Sequence, residues 1–254
     1  MTKVISDLKK FRHLRNSELF TDKSVGLVPT MGALHEGHLA LIKKSLEDND
    51  ITVVSIFVNQ TQFNNKEDFK KYPNTFKKDL YKLKKLKVDF VFNPTYEEMY
   101  PDNYNYRVIE NSFSKILCGK YRPGHFDGVL TVVLKLLNIV RADKAYFGEK
   151  DYQQLKLIEG MTRAFFIDTE IVAHPTVRTA EGLALSSRNM RLSDKDKIKA
   201  VEFPKILASG WPINKIKRLL KQSGFKVEYV EQIDNRRFAA VYLGNVRLID
   251  NVKI

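Results

Sequence analysis

The chain is 254 residues long, 43% hydrophobic and 29% charged, which is the profile of a globular protein falling between one large domain and two. No run approaches the ~18 to 20 apolar residues of a transmembrane helix, and MTKVISDLKKFRHLR at the N-terminus lacks a secretory apolar stretch, so neither membrane insertion nor export is expected. A single cysteine, Cys118, excludes an internal disulfide and fits a reducing cytoplasm, while the net charge of +13 raises nucleic acid as a partner.

Val25 to Val28 reads as a strand, and a helix follows from about His38 to Leu46 with Leu39, Ile42 and Leu46 on one stripe. The apolar run Ile51 to Val58 reads as a second strand. Between Thr75 and Lys87, at ~100° per residue, Phe76, Leu80, Leu83 and Leu86 share one face. Lys77, Lys78, Lys82, Lys84 and Lys85 share the other, which predicts an amphipathic helix with a solvated lysine face. This is the densest lysine segment. It lacks the interleaved aromatics of a stacking platform and no familiar nucleic-acid motif is present, so the charge favours solubility and anionic substrates over nucleic acid.

Val88 to Phe92 is a short strand ended by Asn93-Pro94, and an irregular tyrosine-rich stretch follows. Then come a helix over Asp127 to Val140, a strand over Lys144 to Phe147, a helix over Asp151 to Phe165 and a strand over Ile167 to Val172. Alternation with near-continuous apolar strands implies an α/β fold, a Rossmann-like parallel sheet with helices on both faces. Ligands of such sheets sit outside the carboxyl ends of the strands. His35 and His38, Gln60 to Gln62 and Gly148 to Asp151 all follow strands, so these motifs are expected at one sheet edge.

From Ser193 the pattern changes. Asp194 and Asp196 begin a helical segment, Trp211-Pro212 interrupts it, and Ile213 to Leu220 resumes it. FKVEYVEQI, RFAAVYL and VRLID then read as short strands with turns at Asp234-Asn235 and Gly244-Asn245. The expected division is a Rossmann-like domain over 1–190 and a small C-terminal α+β domain over 191–254.

The most informative segment is PTMGALHEGH at 29 to 38, a turn between a strand and a helix. A helix start exposes unpaired N–H groups and the positive end of the macrodipole, so it suits a polyphosphate. Gly32 and Gly37 are expected to let backbone approach such a ligand, and His35 and His38, three apart, to donate from one side of the first turn. A zinc site from His35, His38 and Cys118 is a poor set, so no metal ligands are assigned.

Five blocks in order resemble the pantothenate synthetase (pantoate-β-alanine ligase) family of the HIGH-type nucleotidyltransferases: PTMGALHEGH, FVNQTQF at 57 to 63, GKYRPGHFDGV at 119 to 129, YFGEKDYQQL at 146 to 155 and PTVRTAEGLALSSRN at 175 to 189. The resemblance implies an ATP-dependent ligase that condenses pantoate with β-alanine through a pantoyl-adenylate, with Mg²⁺ bridging phosphates, a C-terminal lid and a homodimeric assembly. It assigns ATP to Met31, Gly32, Ala33, Leu34, His35, Glu36, Gly37 and His38, to Gly148, Glu149, Lys150 and Asp151, to Val177, and to Leu185, Ser186, Ser187 and Arg188. Gln62 is assigned to pantoate and β-alanine, and Gln154 to pantoate. His38 is the implied proton donor.

The residue chemistry agrees with these roles. His35 and His38 supply donors, Lys150 a flexible cation beside Asp151 at a helix N-cap, and Ser186-Ser187-Arg188 two hydroxyls and a guanidinium for phosphate oxygens. A carboxamide at Gln62 or Gln154 both donates to and accepts from a hydroxy acid. The chain has Gln60 where the family has Pro, Leu185 for Met, Thr179 for Glu and Asn74 for Arg, and Gln60 is expected to loosen the loop beside Gln62. The C-terminal part reads as short for the family. The alternatives are a nucleotidyltransferase acting on a phosphorylated acceptor, which would call for more cations near Gln62, and a basic nucleic-acid-binding protein.

Overall fold

The computed structural model describes residues 1–254 apart from the side chain of Lys66. In chain order the elements are β1 (Lys3–Ile5), α1 (Leu8–Arg15), β2 (Val25–Thr30), α2 (Glu36–Asp48), β3 (Ile51–Ile56), α3 (Lys66–Lys70), α4 (Phe76–Lys85), β4 (Phe90–Phe92), α5 (Tyr96–Met99), α6 (Cys118–Tyr121) and α7 (His125–Val140). They continue with β5 (Lys144–Gly148), α8 (Tyr152–Ala164), β6 (Glu170–His174), α9 (Asp194–Ala200), α10 (Glu202–Leu207), α11 (Ile213–Gln222), β7 (Lys226–Ile233), β8 (Arg236–Leu243) and β9 (Val246–Lys253). Among the described residues no helix is long and apolar enough to cross a membrane.

Strands β1 to β6 form one sheet in the order β1-β4-β3-β2-β5-β6, and every pairing in it is parallel. Parallel strands are buried on both faces, which explains why β2 and β3 are almost unbroken apolar runs. On one face Val28, Val54, Val91 and Tyr146 pack with Leu41 and Ile42 of α2 and Leu83 of α4. On the other, Phe11 of α1 lies 4.6 Å from Phe92 of β4, ring to ring. The sequence-based sheet had five strands. The sixth, β1, has three residues, too few to show a period, and it adds to β4 through Lys3↔Phe90 and Ile5↔Phe92.

Strand order reverses at β2. Its pairing with β5 is confined to Gly26↔Lys144 and Leu27↔Ala145, although β2 runs on to Thr30 and β5 to Gly148. The carboxyl ends therefore separate at the switch point, where α/β sheets bind ligands. β6 lies later than the expected Ile167 to Val172. Phe166 adopts a left-handed φ of 52°, and the Ile167 N–H closes on the Thr162 carbonyl at 2.9 Å, so these residues finish α8 instead of starting a strand.

The chain divides into two units. The first holds Met1–Leu34, His38–Gly148 and Gln153–His174, and the second holds His35–Gly37, Glu149–Tyr152 and Pro175–Ile254. Its continuous part begins at Pro175, where the sequence reading placed the boundary at 190, and two short pieces from earlier in the chain join it. Its β7-β8-β9 sheet is antiparallel, with Ile233↔Arg236 and Leu243↔Val246 closing hairpins over Asp234-Asn235 and Gly244-Asn245, as the turn residues predict. Phe203, Leu207, Ile216 and Leu220 from the helices cover this sheet at Val230, Ala239, Val241 and Leu248.

Candidate active site

In the first unit, the segment after β2 is held from α4. The Ala33 and Leu34 N–H groups donate to Asp79 Oδ2 and Oδ1, both at 2.9 Å, and the Thr75 hydroxyl donates to the same carboxylate. Lys82 Nζ donates to the Leu34 carbonyl at 2.5 Å. The turn needs this support because Gly32 has φ 77° and Ala33 φ 50°, and the left-handed region costs a residue with a Cβ about 1 kcal/mol. A Cβ on Gly32 would stand 3.2 Å from Asp79 Oδ2, so this glycine makes room for the anchoring carboxylate. Lys82, expected in solvent, is half-buried on this duty. Asp79→Ala would leave two buried N–H groups without acceptors at about 1–3 kcal/mol each, so a loss of about 3 kcal/mol is expected in urea unfolding. A change under about 0.5 kcal/mol would show that the turn holds itself.

His38 lies half-buried in the first turn of α2, which begins at Glu36, two residues before the expected start. Gln62 stands at the carboxyl end of β3, in a 3-10 turn over Gln60–Gln62.

The amide of Gln62 has a fixed polarity. Asn59 Oδ1 accepts from the Tyr100 hydroxyl at 2.8 Å and from the Thr61 hydroxyl at 2.9 Å, so its NH₂ donates to Gln62 Oε1 at 3.0 Å and to the Gly128 carbonyl at 3.1 Å. Burial raises the Tyr100 phenol above its ordinary range, which keeps that hydroxyl a donor. Gln62 Nε2 points at Met31 Sδ, 3.2 Å away, a weak acceptor that a carboxylate or hydroxyl oxygen would readily replace. The Gln62 carbonyl accepts from His125 Nδ1 at 2.8 Å, which places the ring proton on Nδ1 and leaves Nε2 to accept from Arg122 at 2.9 Å.

Gln154 is half-buried in the first turn of α8. Its neighbour Gln153 is buried and tied to Phe113 O, Ile116 O and the Cys118 N–H. Cys118 is itself buried, which agrees with an unreactive thiol.

In the second unit His35 precedes α2 instead of sharing its first turn with His38. The His35 ring accepts the Gly37 N–H on Nδ1 at 3.2 Å, so a neutral ring carries its proton on Nε2. A Cβ on Gly37 would meet that ring at 3.0 Å, so this glycine too accommodates a protein group. Glu36 is exposed in the first helical turn, where its charge complements the macrodipole.

Glu149, Lys150 and Asp151 form a 3-10 turn that continues into α8 at Tyr152, so Asp151 ends this turn and is not the expected N-cap. Lys150 Nζ is 3.5 Å from Asp151 Oδ1. Val177 and Leu185 face each other in a hairpin, the Leu185 N–H donating to the Val177 carbonyl at 3.0 Å. Ser186 Oγ accepts the Arg188 N–H at 3.3 Å as the cap of the 3-10 turn Ser187–Arg191, and Ser187 is buried.

The proposed site residues therefore divide between the units. Met31, Gly32, Ala33, Leu34, His38, Gln62, Gly148 and Gln154 belong to the first; His35, Glu36, Gly37, Glu149, Lys150, Asp151, Val177, Leu185, Ser186, Ser187 and Arg188 belong to the second. Sequence reasoning missed Asn59, Asp79 and Tyr100. Among the described residues no group of three His, Cys, Asp or Glu side chains could hold a metal ion.

Six parallel strands that reverse order at a glycine-punctuated strand-to-helix turn make this an α/β protein with a doubly wound, Rossmann-like sheet. Residues 3–253 match the Pantoate-beta-alanine ligase family, and the chain belongs to it. It is 52% identical over 254 residues to the pantothenate synthetase of Bdellovibrio bacteriovorus, covering 100% of both chains. The pantothenate synthetase of Legionella pneumophila (strain Lens) is 50% identical over 248 residues, 98% of each chain. Among solved structures, the pantoate-beta-alanine ligase of Francisella tularensis complexed with beta-gamma ATP and beta-alanine gives a TM-score of 0.95 at 44% identity, covering 100% of this chain and 98% of that one. The pantothenate synthetase of Thermus thermophilus gives 0.88 at 35%, covering 99% of each. The C-terminal part, read from sequence as short, is matched along its length by these relatives.

Proposed function

We propose that this chain, an ATP-dependent pantoate-β-alanine ligase, works through a pantoyl-adenylate. A pantoate carboxylate oxygen bonds to the α-phosphorus of ATP as the bond to the β-phosphate bridging oxygen breaks, and pyrophosphate leaves. The β-alanine amine then bonds to the pantoyl carbonyl carbon, the bond to the AMP oxygen breaks, and the amine proton is released. The observation that carries the reading is the match to the family along 3–253. The experiment is exchange of labelled pyrophosphate into ATP, expected only with pantoate present; exchange without pantoate, or none at all, would sink it.

His35, His38, Lys150 and Arg188 act on ATP in this reading, with Ser186 and Ser187 giving hydroxyls to phosphate oxygens and Met31–Leu34, Glu36, Gly37, Gly148, Glu149, Asp151, Val177 and Leu185 lining the nucleotide. Mg²⁺ bound with ATP would neutralise phosphate charge, held by phosphate oxygens and water with few protein ligands. Gln62 and Gln154 hold the acid. Gln62→Ala and Gln154→Ala are expected to raise the pantoate KM about tenfold while ATP binding stays within about twofold, because the lost hydrogen bonds go to the acid. Titration calorimetry with each substrate decides it, and an ATP-specific defect would contradict the assignment. A cytoplasmic homodimer completes the proposal; sedimentation at the mass of one 29.4 kDa chain would remove the dimer.

A further inference from the structure

Two neighbours in β9, Asp250 and Asn251, belong to none of the five sequence blocks, and each is only 4% exposed. Asn251 Oδ1 accepts from Arg236 Nη1 at 2.5 Å, which fixes the amide so that its NH₂ is the donor. That NH₂ donates to two successive carbonyls, Glu149 O at 2.9 Å and Lys150 O at 3.0 Å. Asp250 accepts both arms of the Arg178 guanidinium, at 2.6 and 2.8 Å. The carboxylate bond raises the Arg178 pKa above its ordinary value, so the guanidinium stays charged. The same guanidinium donates to the Gly182 carbonyl at 3.0 Å, and the Thr179 N–H donates to the Leu183 carbonyl at 2.8 Å, closing the hairpin that leads to Ser186 and Arg188. Asp250 and Asn251 are joined in turn by the Asn251 N–H, which donates to Asp250 Oδ1 at 2.8 Å.

One dipeptide thus grips two segments far apart in sequence, the turn that carries Lys150 and the hairpin that leads to Arg188. A three-residue 3-10 turn has few internal bonds to hold its own orientation, whereas a catalytic group must be kept within about 0.5 Å of its productive position. We propose that Asp250 and Asn251 are positioning residues of the ligase reaction, setting the Lys150 turn and the Val177–Arg188 hairpin in one register so that both cations meet the same polyphosphate. The proposal rests on the functional reading above. It also gives a reason why Glu149–Tyr152 clusters with the C-terminal unit and not with the strand it follows.

The test is a double-mutant cycle in pantoate-dependent pyrophosphate exchange. Asn251→Ala is expected to slow exchange by at least about tenfold with the pantoate KM within about twofold, since displacement of a catalytic group by about 1 Å is enough for such a loss. In a Lys150→Ala background the same change should cost less than about twofold, because a residue that acts through Lys150 has nothing left to position. Asp250→Asn should pair with Arg188→Ala in the same way. Arg236→Gln, at a half-buried position, releases the Asn251 amide without emptying its site, and a smaller loss that vanishes in the Lys150→Ala background is expected should Asn251→Ala fail to fold. Equal losses in both backgrounds, as a purely structural role would give, overturn the proposal, and so does wild-type exchange by folded Asn251→Ala. Absence of exchange in the unaltered protein instead strikes the functional reading, and this proposal with it.

Discussion

His38→Ala is expected to fold as the wild type does and to lose pyrophosphate release by on the order of a hundredfold or more, the usual consequence of removing a positioned donor at a centre of developing charge. His38 sits in the first turn of α2, where helix N–H groups and the macrodipole already favour anions. A donor there does most when the bridging oxygen to the β-phosphate takes up charge, so kcat should fall much further than the KM for ATP rises. Rapid-quench measurement of pyrophosphate, with circular dichroism to establish folding, checks it. Turnover at the wild-type rate would remove His38 from the mechanism. His35 should behave differently because its ring also caps the helix through the Gly37 N–H. His35→Asn retains a cap acceptor and loses the Nε2 donor, so it separates the two duties that His35→Ala removes together.

Much of the first unit was legible because parallel strands, buried on both faces, print themselves as apolar runs, and because α4 and α7 carry clear stripes. What escaped was what periodicity cannot carry. β1 is too short, and β9 runs three residues past the expected VRLID to include Asn251, where polar side chains end the apolar pattern. Asp79 was readable in principle. It lies three residues after Phe76 and four before Leu83, so a carboxylate stands on the stripe that packs inward, and such a residue needs a buried partner. Lys82 is the converse case, since charge in a sequence suggests exposure although its amine closes on the Leu34 carbonyl. The glycines of MGALHEGH read as room for a ligand, and a Cβ on Gly32 or Gly37 would also crowd Asp79 or His35. Composition at a turn announces a close approach without naming the group that approaches.

Chemistry in two separable steps is the second large effect expected. A carboxylate is a poor electrophile toward an amine, so its oxygen must first be joined to a good leaving group, and the α-phosphorus of ATP supplies AMP for that role. The alternative, an acyl-enzyme, requires an activated nucleophile. Cys118 is buried, with its backbone N–H held by Gln153, and Ser186 Oγ serves as a cap for the Arg188 N–H. Neither is arranged for attack. The fixed polarity of Gln62, with Oε1 held by Asn59 and Nε2 toward the weak acceptor Met31 Sδ, presents a donor suited to an acid oxygen, and in the proposed reaction it would hold the acid while the phosphorus centre reacts. An acyl-adenylate should therefore accumulate without β-alanine and persist, shielded from water. Mixing the protein with Mg²⁺-ATP and pantoate should release pyrophosphate in a burst near one per active site, and later addition of β-alanine should release AMP and pantothenate together. Pyrophosphate that appears only when β-alanine is present would mean a concerted ternary reaction, and label from pantoate attached to protein would mean a covalent one; either result excludes the free acyl-adenylate.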